Sequence, residues 1–130
     1  MAVSTLDIAW LAGLLEGEGC FFVGPRNTPT HNYKRIGISL VMTDPEPVYK
    51  AAQLLGVNAY HETTKTSGGK SKYRLWSSGG QAAGWMMTLY SLLSPRRQAK
   101  IRECLEVWKQ MPGRGANQYS RKEMRKLPIT

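Results

Sequence analysis

The chain has few of the residues and patterns that mark several common protein classes. Only two of its 130 residues are cysteines, Cys20 and Cys104, too few for a disulfide framework and without the paired spacing of a zinc site. It contains no run of about 18 apolar residues and no basic segment followed by an apolar one, the patterns of a spanning helix and of a secretion signal. We therefore expect a cytoplasmic protein whose cysteines are reduced and mostly structural.

Acidic residues are also scarce, and charge is the most informative property of the composition. Nine acidic residues oppose 18 lysines and arginines, so the formal net charge is +9. Such an excess favours a polyanionic partner, which from charge alone is DNA, RNA or an anionic membrane surface. The length of 130 residues and the hydrophobic fraction of 42% indicate one domain with a genuine core.

Periodicity predicts helices that alternate with hairpins. Ser4 and Asp7 have capping-box spacing, so a helix is predicted over Thr5–Glu16, with Gly17 and Gly19 expected to end it. The other predicted elements are strands at 20–26 and 34–43, a helix from Pro45 to Gly56, strands at 57–66 and 70–77, and helices at 81–93 and 97–108.

The strand predicted at 34–43 shows period two most clearly. Its even-numbered positions from Ile36 to Met42 are apolar, while Arg35 and Ser39 lie on the other face. A strand of this kind belongs to an antiparallel sheet that buries one face and leaves the other in solvent. In the helix at 81–93, the run Trp85-Met86-Met87 is predicted to lie in the core.

The nonapeptide LAGLLEGEG at positions 11–19 places two carboxylates where an isolated helix least tolerates them. Glu16 and Glu18 fall at the carboxyl end of the predicted helix, where the macrodipole makes each unfavourable by a few tenths of a kcal/mol, and a bound cation would reverse that sign. Ala9, Gly13 and Gly17 recur every four residues and so lie on one side of the helix. That side favours close packing against a second helix.

This nonapeptide is similar to the defining motif of the LAGLIDADG homing endonucleases, with Glu at both Asp positions and Gly for the second Ala. VMTD at 41–44, YRLW at 73–76 and RR at 96–97 further resemble the small phage and bacterial branch, whose members carry one motif and act as homodimers. The similarity covers roughly residues 5 to 109. It implies an α+β fold of αββαββα type, with a four-stranded antiparallel saddle sheet and helices on its convex face. A phage or bacterial source follows from the same likeness, with an organelle as the alternative.

The resemblance also implies an activity and a site. The expected protein is a site-specific double-strand DNA endonuclease that uses Mg²⁺ or another divalent cation and cuts a long, near-palindromic target as a homodimer. Matched residue by residue, Glu18 falls on the catalytic acid position, and the metal is expected at Glu18 and Gly17. Asp44, Arg96 and Arg97 match the neighbourhoods that position water and stabilise the charged transition state. The dimer interface is expected at Ala9, Ala12, Gly13 and Glu16.

A basic sheet face is predicted to contact the DNA. Period-two alternation directs Lys70, Lys72 and Arg74 the same way, as suits a surface that enters the major groove. No acid is predicted among them. The complete set of expected DNA contacts is Arg26, Arg35, Ser39, His61, Lys65, Lys70, Lys72 and Arg74.

Two other functions fit the same charge. A non-cleaving nucleic-acid-binding protein of this fold, either a DNA-binding regulator or an intron RNA maturase, is the main alternative. Glu18 favours the enzyme, because a pure binder gains nothing from an acid near phosphate. An unrelated sheet-based RNA-binding module needs exposed aromatic residues on its central strands, where only Phe22 and Trp76 are candidates.

The last segment is predicted to be separate from the domain at 1–110. Residues 111–130 hold five basic residues and one acid, and they begin with Pro112, Gly113 and Gly115. This composition is typical of a linker and a basic tail that either extends the DNA contact or stays disordered.

Overall fold

Helices and strands follow one another in the order that the periodicity predicts. The computed structural model describes residues 3–27, 32–63 and 69–111. Its elements are α1 (Thr5–Glu18), β1 (Gly19–Asn27), β2 (Asn32–Met42), α2 (Pro45–Leu55), β3 (Ala59–Thr63), β4 (Ser71–Ser78), α3 (Gly79–Leu89), a 3₁₀ turn (Tyr90–Leu92) and α4 (Pro95–Lys109). The predicted sequence of elements is confirmed.

The four strands form one antiparallel sheet in the order β1-β2-β4-β3. Phe21 lies opposite Ile38, and Leu40 lies opposite Leu75, so the apolar positions of neighbouring strands share a face. These side chains are buried with apolar residues of all four helices in a single core. The α+β architecture with helices on one face of an antiparallel sheet is therefore confirmed.

The junction between α1 and β1 depends on a glycine. The capping box at Ser4 and Asp7 is present, but α1 continues through Gly17 and ends at Glu18, two residues later than predicted. A single glycine costs a helix only about 1 kcal/mol, so Gly17 does not stop it. At Gly19 the backbone becomes extended at once, and a Cβ there would lie 2.6 Å from Leu15 Cδ2. The Cα of Leu15 would lie 2.9 Å from the same Cβ, so the close approach of the helix backbone favours glycine at this junction.

Some local expectations differ from the structure. Met86 is buried, whereas its neighbour Met87 is 60% exposed, because consecutive helical residues point about 100° apart. The prediction that placed Met87 in the core was wrong. Cys20 and Cys104 are both free thiols, as expected. Cys104 is in the core, where burial raises its pKa to about 11.

Several expectations fall outside the described residues. They concern Lys65 and the tail from residue 112 onward. The backbone of Arg26 belongs to β1, but its side chain is outside the described part as well. Across 3–27, 32–63 and 69–111, no helix combines the length and apolarity needed to cross a membrane.

Candidate functional site

Glu18 stands at the carboxyl end of α1, beside the end of β2. Its side chain is exposed and lines an open cavity of about 400 Å³ together with Val41, Met42, Thr43 and Lys72. Within the described part of the chain, no hydrogen bond or ion pair engages its carboxylate. The nearby helix end adds partial negative charge. A cation would therefore be attracted to this position.

The donors around Glu18 fit one kind of metal site. Among the described residues, no three His, Cys, Asp or Glu side chains come together to hold an ion. The carbonyl of Gly17 belongs to the last turn of α1, whose carbonyls lack partners within the helix. Mg²⁺ commonly binds through one or two carboxylates and substrate phosphates while it keeps several waters. The residues present fit such an open, phosphate-completed site, with Glu18 as its carboxylate.

The other acid of the motif joins two helices within the chain. The Glu16 carboxylate accepts hydrogen bonds from the Ser94 backbone N–H at 2.9 Å and from the Ser94 hydroxyl at 2.7 Å. Arg97 donates from its guanidinium to the Glu16 carbonyl at 2.9 Å. These bonds, here called the α1–α4 clamp, lower the pKa of Glu16, chiefly through the Ser94 backbone and hydroxyl. The Glu16 carboxylate is engaged inside the chain, and a place for Glu16 in the dimer interface stays a prediction that these bonds do not support.

Removal of the Ser94 hydroxyl tests the clamp. We expect Ser94→Ala to lower the free energy of unfolding by about 1 kcal/mol, because α4 loses its N-cap. Since the folded-state pKa of Glu16 is depressed, the carboxylate contributes its stability above about pH 4.5 and loses it as the pH falls through the folded-state pKa. Urea unfolding from about pH 3 to pH 7 measures this. The difference in the free energy of unfolding between the wild-type chain and Ser94→Ala should shrink as the pH falls. A difference that stays the same at low pH contradicts the clamp.

Neither Arg97 nor Arg96 lines the cavity of Glu18. The Arg97 guanidinium belongs to the clamp and lies 5.9 Å from the centre of the Phe21 ring, where a cation is attracted to the aromatic face. Arg96 is exposed and lines a different cavity, of about 430 Å³, with Cys20, Lys100 and other residues of α4 and β1. A catalytic role for Arg96 stays a prediction, whereas the geometry gives Arg97 a structural function.

Asp44 begins a helix rather than lining the cavity of Glu18. Its side chain accepts a hydrogen bond from the Glu46 N–H at 3.1 Å and so forms the N-cap of α2. Asp44 is not among the residues around the 400 Å³ cavity, whereas its neighbour Thr43 is. The expected catalytic role of Asp44 is a prediction that this capping bond does not support.

One side of α1 is open. A Cβ placed on Gly13 or Gly17 would meet no atom of the described residues within 4 Å, and Ala9 is exposed. Leu6, one turn earlier on this side, is 82% exposed. We call Leu6, Ala9, Gly13 and Gly17 the open side of α1. Ala12 was expected here but is buried, because it turns with Leu11 and Leu15 toward the core.

The sheet face opposite the helices, called the open face below, carries polar and aromatic groups. Strand register determines its members. In the described part they include Phe22 on β1; Arg35, Ser39 and Val41 on β2; Lys72, Arg74 and Trp76 on β4; and Tyr60 and Glu62 on β3. Lys70 is exposed just before β4. The grouping of Arg35, Ser39, Lys72 and Arg74 on one face is as predicted.

His61 and Glu62 correct two expectations about the open face. His61 lies opposite Tyr73 on the helix side of the sheet and stacks on its ring at 4.8 Å, so it is separated from the basic residues. Its neighbour Glu62 lies on the open face, opposite Lys72. Glu62 forms a salt bridge with Arg74, at 3.1 Å between Oε1 and a terminal guanidinium nitrogen. The face therefore contains an acid that was not expected.

An aromatic pair also stands on the open face. The rings of Tyr60 and Trp76 stack with their centres 5.1 Å apart, and each side chain is nearly half exposed. Phe22 lies across Gly37, where a Cβ would come within 2.4 Å of its ring. Trp76 and Phe22 were expected on this face but Tyr60 was not. Alternation along β3 places Tyr60 and Glu62 on the same face, but only the pairing with β4 shows which face that is.

Comparison with known proteins identifies the architecture. No family model and no curated protein sequence matches the chain. The structure matches the homing endonuclease I-CvuI, solved in complex with a DNA target in the presence of magnesium, with a TM-score of 0.61 and 18% identity over 81% of this chain and 67% of that one. It also matches I-LtrWI, a LAGLIDADG homing endonuclease bound to target DNA, with a TM-score of 0.52 and 16% identity over 85% and 46% of the two chains. The chain has the LAGLIDADG homing-endonuclease fold.

A third neighbour with this fold agrees over nearly its full length. The archaeal intron-encoded homing endonuclease I-Vdi141I, complexed with DNA, has a TM-score of 0.59 and 11% identity over 93% of each chain. A further I-CvuI structure holds its own DNA target in the presence of calcium. At these identities the likeness establishes the LAGLIDADG fold. In this chain, α1 and the first residue of β1 carry the nonapeptide.

Proposed function

We propose that the protein is a site-specific double-strand DNA endonuclease that acts as a homodimer. The carrying observation is Glu18, a carboxylate without a partner among the described residues, at a helix end beside the open basic face of the sheet. DNA-bound neighbours of the same fold support this proposal. In it, residues 1–110 form the nuclease domain, residues 111–130 add a basic tail, and the enzyme works in the cytoplasm.

Dimer formation would complete the site. Each chain contributes one Glu18, and the open side of α1 is shaped for close approach of a second α1. Paired α1 helices would bring the two Glu18 carboxylates near a common axis, each close to one DNA strand. Glu18, with the carbonyl of Gly17, would hold a divalent cation there. When bound, that cation would activate water and neutralise charge on the phosphate.

A cleavage assay on a selected duplex tests the proposal. The full chain first selects duplexes from a randomised pool in the presence of Ca²⁺, and the enriched duplex then receives Mg²⁺ or Mn²⁺. We expect cuts in both strands near the centre of a near-palindromic sequence. Selective binding without cleavage in either metal contradicts the nuclease and leaves a DNA-binding regulator.

Arg74 is expected to read one base of the target. Arg74→Ala should cost about 1–3 kcal/mol at one position and relax the preference there. Glu62→Gln should strengthen the preference at that position, because it frees the Arg74 guanidinium, which now bonds Glu62 through two nitrogens. Binding to single-base variants at several salt concentrations measures both. Removal of tail residues 112–130 should weaken binding to all DNA sequences alike. The assignment of Arg74 is contradicted if removal of the tail changes the base preference while Arg74→Ala leaves it unchanged.

The aromatic pair gives the maturase alternative a specific basis. Exposed rings on a sheet are a common way to stack unpaired bases, and Tyr60 and Trp76 supply two of them. Competition between the selected duplex and single-stranded or folded RNA separates the two functions. Preferential binding of RNA, lost in Trp76→Ala, favours the maturase.

A further inference from the structure

Lys72 shares the cavity of Glu18. Although the two residues are far apart in the sequence, α1 and β4 place both around the same space of about 400 Å³, which Thr43 after β2 also lines. In the described structure, no ion pair joins the Lys72 ammonium to the Glu18 carboxylate, so more than 4.0 Å separates the charged atoms. Opposite charges thus line one open cavity without neutralising each other.

The acid nearest Lys72 in register is already engaged. Glu62 lies opposite Lys72 across β3 and β4, but its carboxylate bonds Arg74 Nε at 3.2 Å and a terminal nitrogen of Arg74 at 3.1 Å. Within the described residues, Lys72 has no salt bridge. Its ammonium is therefore available to an anion that enters the cavity from the open face.

The basic residues expected beside the catalytic acid lie elsewhere. Arg97 belongs to the α1–α4 clamp, and Arg96 lines the separate cavity by α4. Among the described residues that line the cavity of Glu18, Lys72 is the basic one. Lysine is a compact point charge that binds phosphate well.

We propose that Lys72 is the basic catalytic residue that contacts the scissile phosphate beside Glu18, an inference that rests on the proposed nuclease activity. In the reaction, the oxygen of water bonds to phosphorus while the bond from phosphorus to the leaving oxygen breaks. The water proton passes to solvent, and the leaving oxygen takes up a proton from solvent. Lys72 keeps its own protons and neutralises the charge that grows on the non-bridging oxygens.

The test compares Lys72→Gln with Lys50→Gln. Both remove one positive charge, but Lys50 lies on α2 above the Trp10 ring, on the helix side of the sheet. Cleavage of the duplex selected by the wild-type chain is measured in single turnover at saturating protein, so that affinity does not enter the rate. We expect Lys72→Gln to slow cleavage by at least about 100-fold. Lys50→Gln should cut at the wild-type rate.

Binding without activity gives a second readout. In EDTA, affinity falls as salt rises, and Lys72→Gln should make this dependence less steep. The negative slope of log affinity against log salt should decrease in magnitude by about 0.9, because one phosphate contact is lost. Lys50→Gln should leave that slope unchanged. Thermal melting checks that both variants fold, and Lys72→Arg, which keeps the charge, should recover cleavage at least about tenfold over Lys72→Gln.

The outcomes separate this inference from the proposed function. If the wild-type chain binds but never cuts, the nuclease proposal fails, and the role of Lys72 fails with it. If the wild-type chain cuts and Lys72→Gln cuts equally fast, the role of Lys72 alone is overturned. Equal loss in Lys72→Arg and Lys72→Gln also overturns it, because charge would then not be the active property.

Discussion

Glu18→Gln is expected to reduce double-strand cleavage by about 10³-fold or more while DNA binding persists or tightens. Glutamine keeps the shape of the side chain but removes the charge that would hold a divalent cation. It also removes repulsion between a carboxylate and the DNA phosphates. Single-turnover cleavage of the selected duplex measures the first effect, and equilibrium binding in EDTA measures the second.

Glu16→Gln is the matched control for this experiment. Both residues are glutamates in the last turn of α1, and they differ in their hydrogen-bond partners. Glu16 accepts two hydrogen bonds from Ser94, whereas Glu18 has none in the described structure. We therefore expect Glu16→Gln to lower the melting temperature and to affect cleavage far less. Normal cutting by Glu18→Gln would show that the assignment of the catalytic acid is wrong.

The sequence predicted the elements well because their patterns are local. In β2, Ile36, Ile38 and Leu40 alternate with polar or small residues, and all three are buried as expected. Asp44 and Pro45 begin α2, and Gly56 ends it in the left-handed conformation. Such signals are contained in a few consecutive residues, so they need no knowledge of the tertiary structure.

The partners of the site residues were not predictable in the same way. Glu16 and Ser94 are 78 residues apart, and nothing near either residue indicates the other. The motif therefore could not indicate the partner of Glu16, whose carboxylate belongs to the clamp, whereas Glu18 faces a cavity. Likewise, Lys72 and Glu18 become neighbours only after β4 pairs with β2.

Strand β3 shows why the open face was only partly predicted. Its sequence AYHET has no strong apolar alternation, so its inward and outward positions cannot be assigned from the segment alone. Pairing with β4 turns Tyr60 and Glu62 outward and His61 inward. The face that was expected to present His61 to DNA therefore presents its neighbour Glu62. The carboxylate of Glu62 forms a salt bridge with Arg74.

Gly13→Leu is expected to separate the dimer into monomers and to abolish double-strand cleavage. A Cβ added at Gly13 meets no atom of the described residues within 4 Å, so we expect the folded monomer to tolerate a leucine there. Between two α1 helices in close contact, the same side chain would force the backbones apart. Light scattering at micromolar concentration should change from twice 14.6 kDa to 14.6 kDa.

Gly84→Leu provides the control, because Gly84 is also helical and no atom of the described part of the chain lies within 4 Å of an added Cβ. Both substitutions replace glycine by a better helix former, so each should raise local helix stability by up to about 1 kcal/mol. Only Gly13→Leu should change the mass and the cleavage. A wild-type chain that is monomeric in solution and binds one chain per duplex contradicts the homodimer, and so does a Gly13→Leu protein that keeps the wild-type mass. Because the control shares the chemistry of the substitution, a selective effect at Gly13 can come only from what lies against the open side of α1.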